Sequence, residues 1–181
     1  MAAICVFCAS GTAIDKRWLD LATETGRQIG ARGHTLVSGG GRVGMMGAVA
    51  EGARAAGAHT LGIIPQSLVD MEVADTASDE LAVTDGMLSR KALMIEKSDA
   101  FLTLPGGLGT LDELFEVWTT GSLAIHRKPM VLVNTDGFYD GLLTWLRTLT
   151  DTHFIRPQAL ADLLIVESLD AAFTALTPKL P

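Results

Sequence analysis

The sequence predicts an α/β protein, a parallel β-sheet flanked by helices on both faces and assembled from repeated strand–helix–strand units. Short apolar runs rich in β-branched residues alternate along the chain with stretches of helical period. Those runs are almost continuously hydrophobic, as strands covered on both faces must be. Two glycine clusters stand directly after strand-like runs and before helical ones, where open α/β sheets bind ligands. With 181 residues, 48% of them hydrophobic, the chain can bury one sizeable core, so a single domain over residues 1–181 is expected.

The strand-like runs are Ile4 to Ala9, Thr35 to Ser38, Thr60 to Ile64, Ala100 to Leu104, Met130 to Asn134 and Leu163 to Val166. Helical periodicity covers about Asp15 to Ala31, Met45 to Ala56, Met87 to Lys97, Leu111 to Ile125 and Phe138 to Thr150, with a short helix near Leu169 to Leu176. In the helix from Leu111, the residues Leu111, Leu114, Phe115 and Trp118 fall at i, i+3, i+4 and i+7 and should face the sheet. The segment Gln66 to Val83 carries five acidic residues and little periodicity, and is expected to run over the surface as a long connection. Neither an internal repeat nor a low-complexity linker interrupts the pattern.

Composition narrows the function. Fourteen Lys and Arg against 21 Asp and Glu leave a net charge of −7, which on average repels nucleic acid and anionic membranes. No run of eighteen apolar residues is present, and Met1 to Phe7 is too short for a signal sequence, so the chain reads as cytoplasmic. Its two cysteines, Cys5 and Cys8, form a C-x-x-C inside a strand, where residues three apart point to opposite faces. They are therefore expected to be buried thiols rather than a redox pair. His34, His59, His126 and His153 lack metal-ligand spacing, and no metal is expected.

The first glycine cluster, Gly39-Gly40-Gly41-Arg42-Val43-Gly44-Met45-Met46-Gly47, formally contains G-x-G-x-x-G in Gly39, Gly41 and Gly44. It follows the second strand rather than the first. The wholly uncharged Thr60-Leu61-Gly62-Ile63-Ile64 also stands where a dinucleotide site wants an acid for the ribose hydroxyls. Both facts count against a nicotinamide-dependent oxidoreductase. The glycines then serve either a tight turn with close helix packing or the approach of backbone to a nucleotide.

The second cluster, Pro105-Gly106-Gly107-Leu108-Gly109-Thr110, joins a strand to a helix beginning Leu111-Asp112-Glu113. Free N–H groups and the helix dipole make such a junction an anion site, and a phosphate would fit it. It lacks the Lys-Ser/Thr ending of a Walker A loop, so a triphosphate with magnesium is not implied. Thr110 and Glu113 also fit a capping box, with Thr110 as the N-cap, and that alone would explain both. It would not explain the preceding Pro-Gly-Gly-x-Gly. Farther back, Arg90 and Lys91 stand side by side in Met87-Leu88-Ser89-Arg90-Lys91. An adjacent pair of cations is commonly a solvated helix face, but this helix leads into the strand that delivers Pro105.

Taken together, these residues resemble the LOG ("lonely guy") cytokinin riboside 5′-monophosphate phosphoribohydrolases. Pro105-Gly106-Gly107-Leu108-Gly109-Thr110-Leu111-Asp112-Glu113 is similar to that family's P-G-G-x-G-T-x-x-E motif, and Met87 with Arg90-Lys91 to its second motif. The likeness extends through Cys8-Ala9-Ser10, Ser38-Gly39-Gly40-Gly41, Val43 to Gly47 and Ile125-His126-Arg127-Lys128-Pro129. The resemblance implies a Rossmann-like fold, a homodimer at minimum, and hydrolysis of an N6-modified adenosine monophosphate to free base and ribose 5-phosphate, with no cofactor. It implies Arg90 and Glu113 as the catalytic pair. Substrate binding would fall to Arg90, Lys91, Gly107, Leu108, Gly109, Thr110, Leu111, Asp112, Glu113, Thr119 and Glu72. Leu88 stands where the family often has His, a departure that bears on base specificity.

Cleavage of an N-glycosidic bond passes through an oxocarbenium-like state, which needs negative charge near the ribose and a positioned water. Glu113 suits that need. A non-catalytic nucleotide carrier is the alternative, because related folds use glycine loops merely to hold ligands. A carrier has no need of Arg90 together with Glu113. The older label "lysine decarboxylase" for such sequences finds no Schiff-base lysine with a pyridinium partner here. Trp118, Leu123 and Ile125 are the apolar residues expected to support a helix-mediated interface.

Overall fold

The computed structural model describes residues 1–71 and 73–181, so the candidate Glu72 lies outside the described residues. In chain order the elements are β1 (Ala3–Phe7), α1 (Lys16–Ala31), β2 (Thr35–Ser38), α2 (Gly44–Ala55), β3 (Thr60–Pro65), α3 (Gln66–Val69), β4 (Glu80–Thr84) and α4 (Met87–Glu96). They continue with β5 (Ala100–Thr103), α5 (Leu108–Ser122), β6 (Met130–Val133), α6 (Asp140–Asp151), α7 (Pro157–Ala161), β7 (Leu163–Val166) and α8 (Leu169–Leu176). The strands form one parallel sheet in the order β4-β3-β2-β1-β5-β6-β7. The chain winds outward from β1 to β4, then returns to lay β5 on the other side of β1. That reversal opens a crevice at the carboxyl ends of β1 and β5, where such sheets take ligands.

Strand alternation divides the core between the two faces. Ile4 and Val6 of β1, with Leu36 and Leu102, pack against Ile29 of α1, Val49 and Ala53 of α2 and Phe173 of α8. Cys5 and Phe7, with Val37 and Phe101, pack on the opposite side against Met94 of α4, Leu114, Val117 and Trp118 of α5 and Leu143 of α6. Cys5 and Cys8 therefore belong to different cores, both free and buried, and burial pushes both thiols up. Cover on both faces is what the near-continuous hydrophobicity of the strands requires. Among the described residues no helix is long and apolar enough to cross a membrane.

Two sequence expectations change. Gln66 to Val83 is not a bare connection: α3 opens it and β4 adds a seventh strand at the sheet edge. The strand Glu80-Leu81-Ala82-Val83-Thr84 begins with a charge and pairs with β3 alone, so it is only half-buried and lacks the apolar run of an inner strand. Trp118, expected both in the sheet-facing stripe and at an interface, takes the first place only: it is core, with its indole N–H donating to the Ala159 carbonyl at 2.6 Å. Leu123 and Ile125, just beyond α5, do stand exposed.

Candidate active site

Helix α4 brings its buried face down onto the sheet, and Arg90, Lys91 and Met94 all lie on it. Arg90 is only 5% exposed, which rules out the solvated-face reading of the Arg-Lys pair. Its guanidinium is held from three directions at the carboxyl end of the sheet. Nε donates to the Ile63 carbonyl at 3.0 Å, Nη2 to the Gly39 carbonyl at 3.3 Å, and Nη1 meets Glu113 Oε1 at 2.9 Å. A buried charge with this set of acceptors is both neutralised and fixed in direction.

Arg90 also explains one of the glycines. A Cβ on Gly39 would fall on the Arg90 guanidinium, and one on Gly44, whose φ is +58°, would press on the Ser10 and Gly11 backbone. The first cluster is thus bare so that a cation can lie across its backbone and α2 can start close to the β1 loop. Gly39→Ala is expected to dislodge Arg90 and cost about 1.5–3 kcal/mol, the range for hydrogen bonds to a charged group. Thermal unfolding should show a Tm about 3–12 °C lower; an unchanged Tm would mean that Arg90 needs no such seat.

Glu113 comes from the other side, on the second turn of α5, and is 8% exposed. Burial raises its carboxyl above the usual range, and the Arg90 charge opposes that shift without cancelling it. The capping-box expectation fails here. Helix α5 begins at Leu108, three residues earlier than its periodicity suggested, with Gly107 as an N-cap that makes no side-chain bond. Thr110 lies inside the first turn, and Glu113 turns inward to Arg90 rather than back toward Thr110. The three glycines of the loop divide their work. A Cβ on Gly106 would strike the Thr110 side chain, whereas those on Gly107 and Gly109 would project into open space. The first turn of α5, including the well-exposed Leu108, is therefore open to a ligand on the side where its N–H groups lack helical partners.

Lys91 is tied to the same helix: Nζ lies 2.9 Å from both Asp112 Oδ1 and Glu116 Oε2. The hydrogen bond it donates to Asp112 chiefly raises its pKa, with burial opposing the shift and the bond to Glu116 adding to it. A Schiff-base lysine must shed its proton, so this one is poorly placed for lysine decarboxylation. The described site thus joins Arg90, Lys91, Thr110, Leu111, Asp112 and Glu113 to the open Gly107-Leu108-Gly109 turn. Thr119 is not joined to them. It lies exposed farther along α5, in a shallow hollow with Phe115, Ser122 and Ile155. Sequence reasoning missed the carbonyls of Gly39 and Ile63 as the seat of Arg90, and backbone acceptors leave no mark on a sequence.

Loops around the crevice are mutually braced. The Ala9 N–H donates to the Pro105 carbonyl at 3.3 Å and its carbonyl accepts from Met45 N–H at 2.9 Å. Asp75, 2.7 Å from Arg54, bonds through its own N–H to the Gly40 carbonyl at 2.8 Å and so fastens the acidic segment to the first glycine cluster. A hollow of about 260 Å³ adjoins Gly106 and Gly107. A larger one, about 640 Å³, lies at the opposite end of the sheet beside Lys128 and Met130. There the Lys128 ammonium is already engaged by the Ile95 carbonyl at 2.6 Å, and the strand ends are the amino ones.

Fold and site together define a Rossmann-like α/β protein with an open helix N-terminus beside a buried Arg–Glu pair at the switch point of the sheet. A sequence model of the family described as "Possible lysine decarboxylase" matches residues 46–176. The chain belongs to this family, that of the LOG proteins. It is 49% identical over 176 residues to a cytokinin riboside 5′-monophosphate phosphoribohydrolase of Mycobacterium tuberculosis (strain ATCC 25618 / H37Rv), covering 97% of this chain and 94% of that one. An enzyme of the same description from Arabidopsis thaliana is 43% identical over 156 residues, covering 86% and 72%. Among solved structures, the molybdenum cofactor binding protein of Rippkaea orientalis superposes with a TM-score of 0.75 at 24% identity, covering 98% of this chain and 96% of that one. That likeness concerns the fold alone.

Proposed function

We infer that this chain is a hydrolase that cleaves the N-glycosidic bond of a nucleoside 5′-monophosphate, with N6-modified adenosine monophosphate as its substrate class. The observation that carries this reading is the buried Arg90–Glu113 pair at 2.9 Å, set one helical turn from an open helix N-terminus. Kinship with phosphoribohydrolases that share 43–49% of its residues supports it. In this reading the N–H groups of Gly107 to Thr110 take the 5′-phosphate, helped by the dipole of α5. Glu113 faces the ribose, where its charge stabilises the oxocarbenium-like state and orients the attacking water. The bond from C1′ to the base nitrogen breaks, the water oxygen bonds to C1′, and a water proton passes to the departing base. Arg90 holds Glu113 in place and adds positive charge beside the phosphoribosyl group, and Lys91 fixes Asp112 and Glu116 at the rim.

The test is incubation with a panel of nucleoside monophosphates and chromatographic detection of free base. Release of adenine or of an N6-substituted adenine is the expected result, and tight binding without release would favour a carrier. A pH dependence follows from Glu113. The working form is ionised and its pKa is raised, so activity should fall with decreasing pH while still above the ordinary Glu value of 4.5. A rate that stays flat down to that value would remove Glu113 from the ionised role. A limb near pH 6 that does not move in Glu113→Asp belongs to the substrate phosphate, which titrates at about that pH.

The resemblance also implies a homodimer, which the exposed Leu123 and Ile125 support. Sedimentation at micromolar concentration should give twice the chain mass of 19.1 kDa; a monomer would overturn it.

A further inference from the structure

The hollow of about 260 Å³ beside the glycine loop is walled by Ile14, Trp18, Met45 and Phe138, with Gly106 and Gly107 on its remaining side. It is too small for a whole nucleotide, given that sites for drug-sized ligands span about 300–1,000 Å³, but it suits one flat ring. Its aromatic wall is braced from outside. Trp18 and Phe138 meet edge to face at 5.5 Å, and the Arg17 guanidinium lies over the Trp18 ring at 4.3 Å. Arg17 also pairs with Asp136 at 3.1 Å, and Asp136 has φ 55°, a left-handed conformation that costs a non-glycine residue free energy. Phe138 in turn packs edge-on against Tyr139 at 4.8 Å, whose hydroxyl donates to the Leu104 carbonyl at 2.7 Å, one residue before the loop. Three segments from different parts of the chain thus converge to hold two half-exposed aromatic rings at a fixed distance from the glycine loop.

We propose that this hollow is a subsite for a nucleobase, which lies against Trp18 and Phe138 beside the phosphate loop. The proposal rests on the phosphate reading of that loop. Core packing does not account for the arrangement, because Phe138 stays 44% exposed while the turn beneath it is held in a costly conformation. Every nucleobase offers a flat π-face to such a wall. Two sources share this chemistry, the base of the bound nucleotide itself and a free base such as the reaction would release.

Trp18 supplies the readout. Its emission is followed in the first seconds after mixing the full-length protein with adenosine monophosphate, adenine or ribose 5-phosphate, with Trp18→Phe as the control that removes the signal. Adenine-bearing ligands should change the emission and ribose 5-phosphate should not. A response to the nucleotide alone assigns the subsite to the base of the substrate, and an equal response to free adenine assigns it to a separate base. Phe138→Ala should weaken the responding ligand by about 5–100-fold, the range covered by base–aromatic stacking. Base release by the wild type with no Trp18-dependent change, and with KM unaltered in Phe138→Ala, would overturn the proposal while leaving the hydrolase reading intact. A Trp18-dependent response to adenosine monophosphate in a protein that releases no base would overturn the hydrolase reading and leave the subsite standing.

Discussion

Glu113→Gln is expected to lower kcat for release of base from an adenosine monophosphate by about 10²–10⁴-fold, the range over which positioned acid–base groups act. That corresponds to about 3–5 kcal/mol of barrier at 1.36 kcal/mol per tenfold. The substitution keeps the shape of the side chain and an oxygen facing Arg90 Nη1, now 2.9 Å from the carboxylate. It removes the negative charge that an oxocarbenium-like state requires. KM should change far less than kcat, because the phosphate contacts of Gly107 to Thr110 are untouched and only interactions made in the transition state are lost. Circular dichroism checks that the fold survives. Turnover at the wild-type rate in a folded variant would reduce Glu113 to a structural partner of Arg90.

Arg90→Met is expected to destabilise the protein by about 3–5 kcal/mol at neutral pH, the cost of leaving one member of a buried pair without its partner. At about 2–4 °C per kcal/mol, Tm should fall by about 6–20 °C. The sign of the pH dependence follows from Glu113. Burial already raises its pKa in the folded state, and loss of the Arg90 charge raises it further. A carboxyl whose folded pKa exceeds its unfolded value leaves stability intact below the unfolded value and removes it as pH climbs through the folded one. The deficit of Arg90→Met should therefore shrink as pH is lowered toward the ordinary Glu range. The double variant Arg90→Met/Glu113→Gln should recover part of the loss, since neither buried charge then remains. A double variant no more stable than Arg90→Met would show that the lost bonds to the Gly39 and Ile63 carbonyls, not the stranded carboxylate, carry the cost.

The fold was readable because five of its seven strands are inner runs whose burial on both faces forces continuous hydrophobicity, and the edge strand β7, Leu163-Leu164-Ile165-Val166, is apolar throughout as well. β4 escaped because an edge strand is covered on one side only and need not be apolar throughout. The start of α5 was misread for a related reason. Periodicity marks where a helix touches the core, and its first turn touches nothing: Leu108 is 88% exposed and Gly109 faces open space. That first turn is the part offered to a ligand.

By itself the sequence determined six of the seven strands and the six longer helices, that glycine clusters follow β2 and β5, and that Arg90, Lys91 and Glu113 are the residues to watch. All of this is local, encoded in period and in residue type. Only the tertiary structure decided that Thr110 and Glu113 are not a capping box, that Arg90 lies buried on the carbonyls of Gly39 and Ile63, and that Thr119 stands apart from both. It also brought Trp18 and Phe138 to 5.5 Å beside the loop. The physical reason is the same in each case. A buried charge takes whichever acceptors the fold presents, and backbone carbonyls from distant strands become acceptors only once the sheet has formed.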